Sequence, residues 1–160
     1  MTRYTTWASP LGELLLAGTA AESGIALTGL ALPGGPAVRI EPDWVSDASA
    51  FAPVVARLAA YFAGERIEFG SEFAVPGTEF QRQVWHELDR IPYGTTTGYR
   101  EIAARIGRPT AARAVGAAVG ANPLLIVRPC HRVVGAGGQL TGYAGGLAAK
   151  RRLLELEGAR

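Results

Sequence analysis

The chain has 160 residues, 48% of them hydrophobic and 19% charged. That suffices for one ordinary domain or two small ones around a real core, and it excludes a disordered polar segment. The 16 basic and 14 acidic residues leave a formal charge of +2. This is too weak to indicate nucleic-acid binding unless a basic patch is local.

The first third reads as β. RYTTWAS and ELLLAGT flank the turn signal SPLG and predict a hairpin, with GIALTGLAL as a third strand. Residues 33–47 hold three prolines and read as a loop. FAPVVARLAAYFAGE has Val54, Leu58, Tyr61 and Phe62 at helical spacing. IEFGSEFAVPG is extended and ends at a Pro-Gly break, which places a boundary near residue 76. Thr78 can cap a helix whose stripe is Phe80, Val84, Trp85, Leu88 and Ile91. After the turn IPYGTTT, a short helix runs from TGYREIAARI to Gly107, and RPT turns the chain with Thr110 placed to cap the next helix. TAARAVGAAVGA is that helix, stopped by Asn122 and Pro123. LLIVRP reads as a short β-like run, GAGGQLTGYAGG as a glycine-rich loop and LAAKRRLLELEG as a last helix.

The only cysteine, Cys130, cannot form an internal disulfide, which fits a reducing compartment. MTRYTTWASPLGELLL lacks the pattern of a secretory signal, and no stretch is long enough to span a bilayer. The chain therefore reads as soluble and cytoplasmic. His86, His131 and Cys130 are not at metal-ligand spacing, so no metal is expected.

The two short helices joined by a turn containing Gly107 form a helix-turn-helix pattern. At about 100° per residue, Ala111, Val115, Ala118 and Val119 share one face of the second helix; Arg113, Gly116, Ala117 and Gly120 share the opposite one. Glycine weakens a helix interior by roughly 1 kcal/mol relative to alanine. Close approach of another surface would explain it, and both a DNA groove and a packed helix qualify.

A lone cysteine is commonly a small buried hydrophobe. A reactive one needs a base or positive surroundings, because its unperturbed pKa of about 8.5 leaves little thiolate at neutral pH. His131 and the flanking Arg128 and Arg132 are placed to supply either. Adjacent side chains do not face each other in a strand or helix, so His131 reaches Cys130 only across a bend or through a water; otherwise it is structural. Glu157 lies on the side of the last helix that carries Leu153 and Leu154. A carboxylate there is costly unless paired, and a histidine N–H is a fitting partner; the other reading is that it frays into solvent. Cys130, His131 and Glu157 thus form a candidate triad. Asn122 is either a turn residue or a tie for the cysteine loop.

PCHRV, residues 129–133, resembles the active-site signature of the O6-alkylguanine-DNA alkyltransferases, the methylated-DNA–protein-cysteine methyltransferases. FQRQVW, IPYGTTTGYREIA, AARAVGAAVGANP, IVRPCHRVV and LTGYAGGLAAKRRLLELEG resemble successive blocks of that family in order, and SPLG with LLLAG resembles its N-terminal block. The resemblance implies an α+β fold: a ribonuclease-H-like β-sheet domain over 1–75, then a mainly helical domain over 76–160 with a helix-turn-helix. It implies binding to double-stranded DNA through the minor groove by a monomer. An alkyl group on guanine O6, with thymine O4 as a second target, would pass to Cys130 after base flipping. No cofactor is required, and each molecule acts once.

The resemblance also assigns roles. Cys130, His131, Glu157 and Asn122 are catalytic. Tyr99, Val133, Tyr143 and Ala144 bind the base, Tyr99 by meeting the ring and its 3′ phosphate and Val133 through its carbonyl. Arg113 fills the gap left by the flipped base, and Arg100, Ala112 and Gly116 line the DNA contact. Ala144 departs from the serine of some relatives. Two other readings remain: a binder that marks alkylated DNA without repairing it, which would not need the thiol, and a cysteine hydrolase, which would turn over.

Overall fold

The computed structural model describes residues 1–22, 24–35, 39–69 and 73–159. Three antiparallel strands open the chain: β1 (Thr2–Ser9), β2 (Gly12–Ala21) and β3 (Gly24–Ala31). The expected hairpin pairs Ser9 with Gly12 across the SPLG turn. β4 (Val45–Ser46) lies in the segment expected to be all loop and pairs in parallel with β1, giving the order β3-β2-β1-β4. Residues 36–38 of that loop and 70–72 of the expected extended segment lie outside the described residues. Phe73 bridges in parallel to Leu27, beside β3.

A 3-10 turn, Ala48–Phe51, leads into α1 (Ala52–Phe62), and Asp47 caps that turn by accepting from the Ala50 N–H. α1 turns Leu58 and Tyr61 inward. α2 (Glu79–Asp89) starts at Thr78 in a reciprocal cap: Thr78 Oγ1 accepts from the Gln81 N–H, and Gln81 Oε1 from the Thr78 N–H. It buries Val84, Trp85 and Leu88, the centre of the expected stripe.

α3 (Tyr99–Arg105) and α4 (Ala112–Gly120) follow, joined through Gly107 at φ 77°, a left-handed turn that suits glycine. Thr110 does not cap α4: the capping position is Ala111, with no side-chain hydrogen bond. Instead the Ala111 N–H donates to the Arg108 carbonyl, so a backbone turn leads into the helix. β5 (Thr97–Gly98) pairs in parallel with β6 (Val133–Val134), and α5 (Leu147–Glu157) ends the fold.

The LLIVRP run is not a strand. Only Leu124 bridges to Leu30; the chain then folds back, with the Val127 N–H donating to Leu125 O and the Arg128 N–H to Leu124 O. One continuous core joins the sheet (Leu14, Leu16, Leu30), α1 (Leu58, Tyr61), α2 (Val84, Leu88) and α5 (Leu153). Among the described residues, no helix is long and apolar enough to cross a membrane.

Candidate active site

Cys130 opens a short 3-10 helix, Cys130–Arg132, between the folded-back loop and β6. Asn122 organises that loop. Its Oδ1 accepts from the Leu124 N–H at 3.0 Å, and its Nδ2 donates to Leu124 O at 3.1 Å and to Cys130 Sγ at 3.2 Å. Both readings of Asn122 are thus met geometrically by one amide. Ile126 inside the loop has φ 69°. For a β-branched residue that conformation costs about 1–3 kcal/mol and persists only where the surroundings impose it.

Burial pushes the Cys130 thiol up to about 11, against the Asn122 hydrogen bond and the charges of Lys150 and, more weakly, Arg128. At neutral pH the sulfur therefore rests protonated. Of the flanking arginines, Arg128 bears on the sulfur weakly by its charge, and both guanidiniums hydrogen-bond to other groups. Arg128 donates from Nε to Asp89 at 3.0 Å and lies over the rings of Phe73 and Trp85. Arg132 donates to Glu157 from Nε at 2.7 Å and Nη2 at 3.0 Å, and to the Ile91 carbonyl from Nη1 at 2.7 Å.

Glu157 does not fray; its side chain is fully buried. His131 Nε2 lies 2.8 Å from its Oε2, and Tyr61 Oη donates to the same oxygen at 2.6 Å. Burial alone would raise this carboxyl. The hydrogen bonds from His131 and Arg132, and the one from Tyr61, outweigh burial and hold it down at about 2. An ionised carboxylate only accepts, so Nε2 must carry the His131 proton and Nδ1 the lone pair. Burial lowers the His131 pKa, which keeps the ring neutral near pH 7. Nδ1 is buried and has no hydrogen-bond partner among the described residues. The site therefore holds a protonated thiol and, on the next residue, a neutral imidazole with one uncommitted basic nitrogen.

Cys130 lines a cavity of about 490 Å³ together with Tyr99, Gly116, Leu125, Tyr143 and Ala144. Tyr99 Oη is 2.8 Å from Thr141 Oγ1. The Tyr143 ring stands edge-on to His131 with centroids 6.4 Å apart. Tyr99 and Gly116 also line an adjoining trough of about 790 Å³, which contains Arg100, Ala112 and Arg113. Val133 is the exception among the expected base-binding residues: it is fully buried and does not line the cavity, and its carbonyl accepts from Lys150 Nζ at 2.5 Å. A carbonyl has a second lone pair.

α4 presents the two faces expected. Val115, Ala118 and Val119 are buried, while Arg113, Ala117 and Gly120 are exposed. A Cβ on Gly120 would meet nothing within 4 Å, and one on Gly116 only the Tyr99 ring at 3.8 Å. The Tyr99 ring of α3 thus lies over Gly116 at ordinary contact distance, and among the described residues no side chain or backbone packs on Gly120.

Sequence reasoning missed three residues. Tyr61 was placed only as a core position of α1. Lys150 is fully buried and donates to the carbonyls of Val133 and Thr141. Its position on the stripe of Leu153, Leu154 and Glu157 was a usable signal. Thr141 gave none. Among the described residues, no cluster of three or more His, Cys, Asp or Glu side chains is arranged to hold a metal ion.

Two family models match consecutive parts of the chain. The ribonuclease-like domain of 6-O-methylguanine DNA methyltransferase matches residues 2–75, and the DNA-binding domain of the same protein matches 79–159. The methylated-DNA–protein-cysteine methyltransferase of Mycobacterium bovis is 51% identical over 160 residues, covering 100% of this chain and 94% of the relative. That of Methanosarcina acetivorans is 47% identical over 156 residues, 98% of each chain. The crystal structure of Mycobacterium tuberculosis OGT in complex with DNA superposes with a TM-score of 0.89 at 50% identity, covering 98% of this chain and 92% of that one. With both family models in sequence order and full-length relatives at this identity, the chain belongs to the 6-O-methylguanine DNA methyltransferase family.

Proposed function

We propose that this protein repairs DNA by direct reversal, moving an alkyl group from guanine O6 to Cys130. The observation that carries the reading is the cysteine on the wall of a base-sized cavity, with a neutral imidazole and its carboxylate buried behind it. The exposed face of α4 sits in the minor groove, and the alkylated base leaves the duplex for the cavity. Tyr99, Tyr143 and Ala144 flank the base, and the Val133 carbonyl meets its amino group with the lone pair that Lys150 leaves free. Arg113 takes the vacated place in the stack, while Arg100, Ala112 and Gly116 line the backbone's path. Residues 1–75 and 76–160 act as two domains, the second carrying the helix-turn-helix and the chemistry.

Cys130 Sγ attacks the alkyl carbon as the carbon–O6 bond breaks, and the bonding pair leaves with the guanine. The thiol proton goes to His131 Nδ1 through a water, and Glu157 stabilises the imidazolium through Nε2–H. Asn122 Nδ2 supports the sulfur as it becomes anionic. Tyr99 Oη donates to the purine ring as negative charge develops there. The thioether formed has no ready leaving step, so one molecule repairs one lesion without a cofactor. The protein acts as a monomer in the cytoplasm.

The test is to incubate the protein with an oligonucleotide carrying one labelled O6-methylguanine and to map the label by peptide mass. One methyl on Cys130 per molecule is expected, with Cys130→Ser binding the lesion and acquiring none. Unmodified protein would instead support the non-repairing binder, and repeated turnover the hydrolase.

A further inference from the structure

Arg128 lies outside the catalytic and DNA-contacting sets, yet its guanidinium is buried two residues from the nucleophile. Its Nη1 donates to Asn122 Oδ1 at 3.4 Å and its Nε to Asp89 Oδ1 on α2 at 3.0 Å. Asn122 Oδ1 thus faces two donors, Arg128 and the Leu124 N–H. A flipped amide would set its NH₂ against both. The orientation is therefore fixed, and Nδ2 must point at Cys130 Sγ. The guanidinium also lies over the rings of Trp85 and Phe73, each centroid 5.1 Å from Cζ.

We infer that Arg128 is a positioning residue that tunes the nucleophile through Asn122. A cation on the amide oxygen draws electron density from Nδ2 and strengthens its hydrogen bond to a thiolate more than to a thiol. Asp89 sets how much of that charge reaches the amide. The chain Asp89–Arg128–Asn122–Cys130 thus adjusts the acidity of the sulfur from the side opposite His131. The other titratable groups around Cys130 are Lys150, Tyr143 and, through His131, Glu157; His86 on α2 acts on Asp89. The hydrogen bonds of Lys150 and His131 run to Val133, Thr141 and Glu157, apart from Arg128.

The inference rests on reading Cys130 as the nucleophile, but its test needs no DNA. The rate of Cys130 alkylation by iodoacetamide as a function of pH reports the thiol midpoint in the intact protein. Arg128→Met removes the cation and should raise the midpoint. Asp89→Asn keeps an acceptor for Nε but removes the opposing charge, and should lower it. Each shift should be about half a unit, about threefold in thiolate at fixed pH. A purely structural role would move both variants the same way or neither, and either result overturns the inference. If Arg128→Met does not fold, Asp89→Asn decides alone, and an unmoved or raised midpoint is fatal. Methyl transfer from O6-methylguanine DNA, measured on the same proteins, separates failure here from failure of the repair reading.

Discussion

Behind Cys130 the charged groups are buried and engaged; on the outer face of α4, across the same cavity, they are scarce and exposed. Arg128, Arg132, Lys150 and Glu157 are each at most 6% exposed and all hydrogen-bonded. Arg113 projects from a face of glycine and alanine, with no hydrogen bond or ion pair among the described residues. Under the proposed repair reaction, the contrast follows from what each side would do. Moving a proton from a thiol to an imidazole needs fixed partners in a buried site, where a misplaced charge is costly. Meeting a duplex needs a smooth, open face with little of its own to desolvate.

The buried side should break hardest at Glu157. Glu157→Gln removes the charge opposite Arg132, which stays buried. Losing one member of such a pair typically costs about 3–5 kcal/mol. The depressed carboxyl also makes stability depend on acid. Its contribution is present above the ordinary glutamate value of 4.5 and is lost as pH falls through about 2; the gap is worth about 3 kcal/mol. Urea unfolding at pH 7 and pH 3 should show wild type weakening toward low pH, and the Gln variant weak at pH 7 and less acid-sensitive. Equal stability at pH 7 would mean the network is ornamental.

On the open side the expected effect is functional and leaves stability alone. Arg113→Ala should slow methyl transfer in duplex DNA by about 30-fold, the order of 2 kcal/mol for an extruded base with no substitute in the stack. It should barely alter reaction with a free O6-alkylguanine. Equal losses on both substrates would remove Arg113 from the groove.

The two sides were unequally legible. The face of α4 follows from helical period, because its exposed and buried residues are set within one element. The buried network depends on contacts no local pattern encodes: Tyr61 and Glu157 are 96 residues apart. Period 3.6 did place Glu157 beside Leu153 and Leu154, and it placed Lys150 there too. The β-like reading of LLIVRP failed because Asn122 and the left-handed Ile126 fold the segment back. Arginines adjacent in sequence suggest an electropositive sulfur, yet direction decides: each donates to a carboxylate, and Arg128 reaches the cysteine loop only through Asn122.

Tyr61→Phe sharpens the comparison from the first part of the chain. It deletes only the hydroxyl that donates to Glu157 Oε2, a hydrogen bond to a charged acceptor worth roughly 1.5 kcal/mol. Arg132 and His131 remain, so the carboxylate stays ionised and the loss should be well below that of Glu157→Gln. A loss of equal size, measured by urea unfolding, would make Tyr61 the keystone rather than one donor among several.

Among the substitutions expected to change stability, Gly116→Ala has the smallest effect and, unlike the others, a positive sign. Gly116 lies inside α4, where alanine is the better helix former by about 1 kcal/mol. The added Cβ would meet only the Tyr99 ring, at the ordinary contact distance of 3.8 Å. Folding alone therefore favours alanine here, and the proposed approach of a duplex to this face would account for the glycine. Gly116→Ala should melt a few degrees higher, while Ala117→Leu, on the same face but outside the cavity, should bind duplex DNA more weakly and still react with a free O6-alkylguanine. If alanine lowers the melting temperature, the bare face is needed by the protein itself. If leucine leaves DNA affinity unchanged, the groove does not approach this helix, and the contrast between the two sides of the cavity loses its functional meaning.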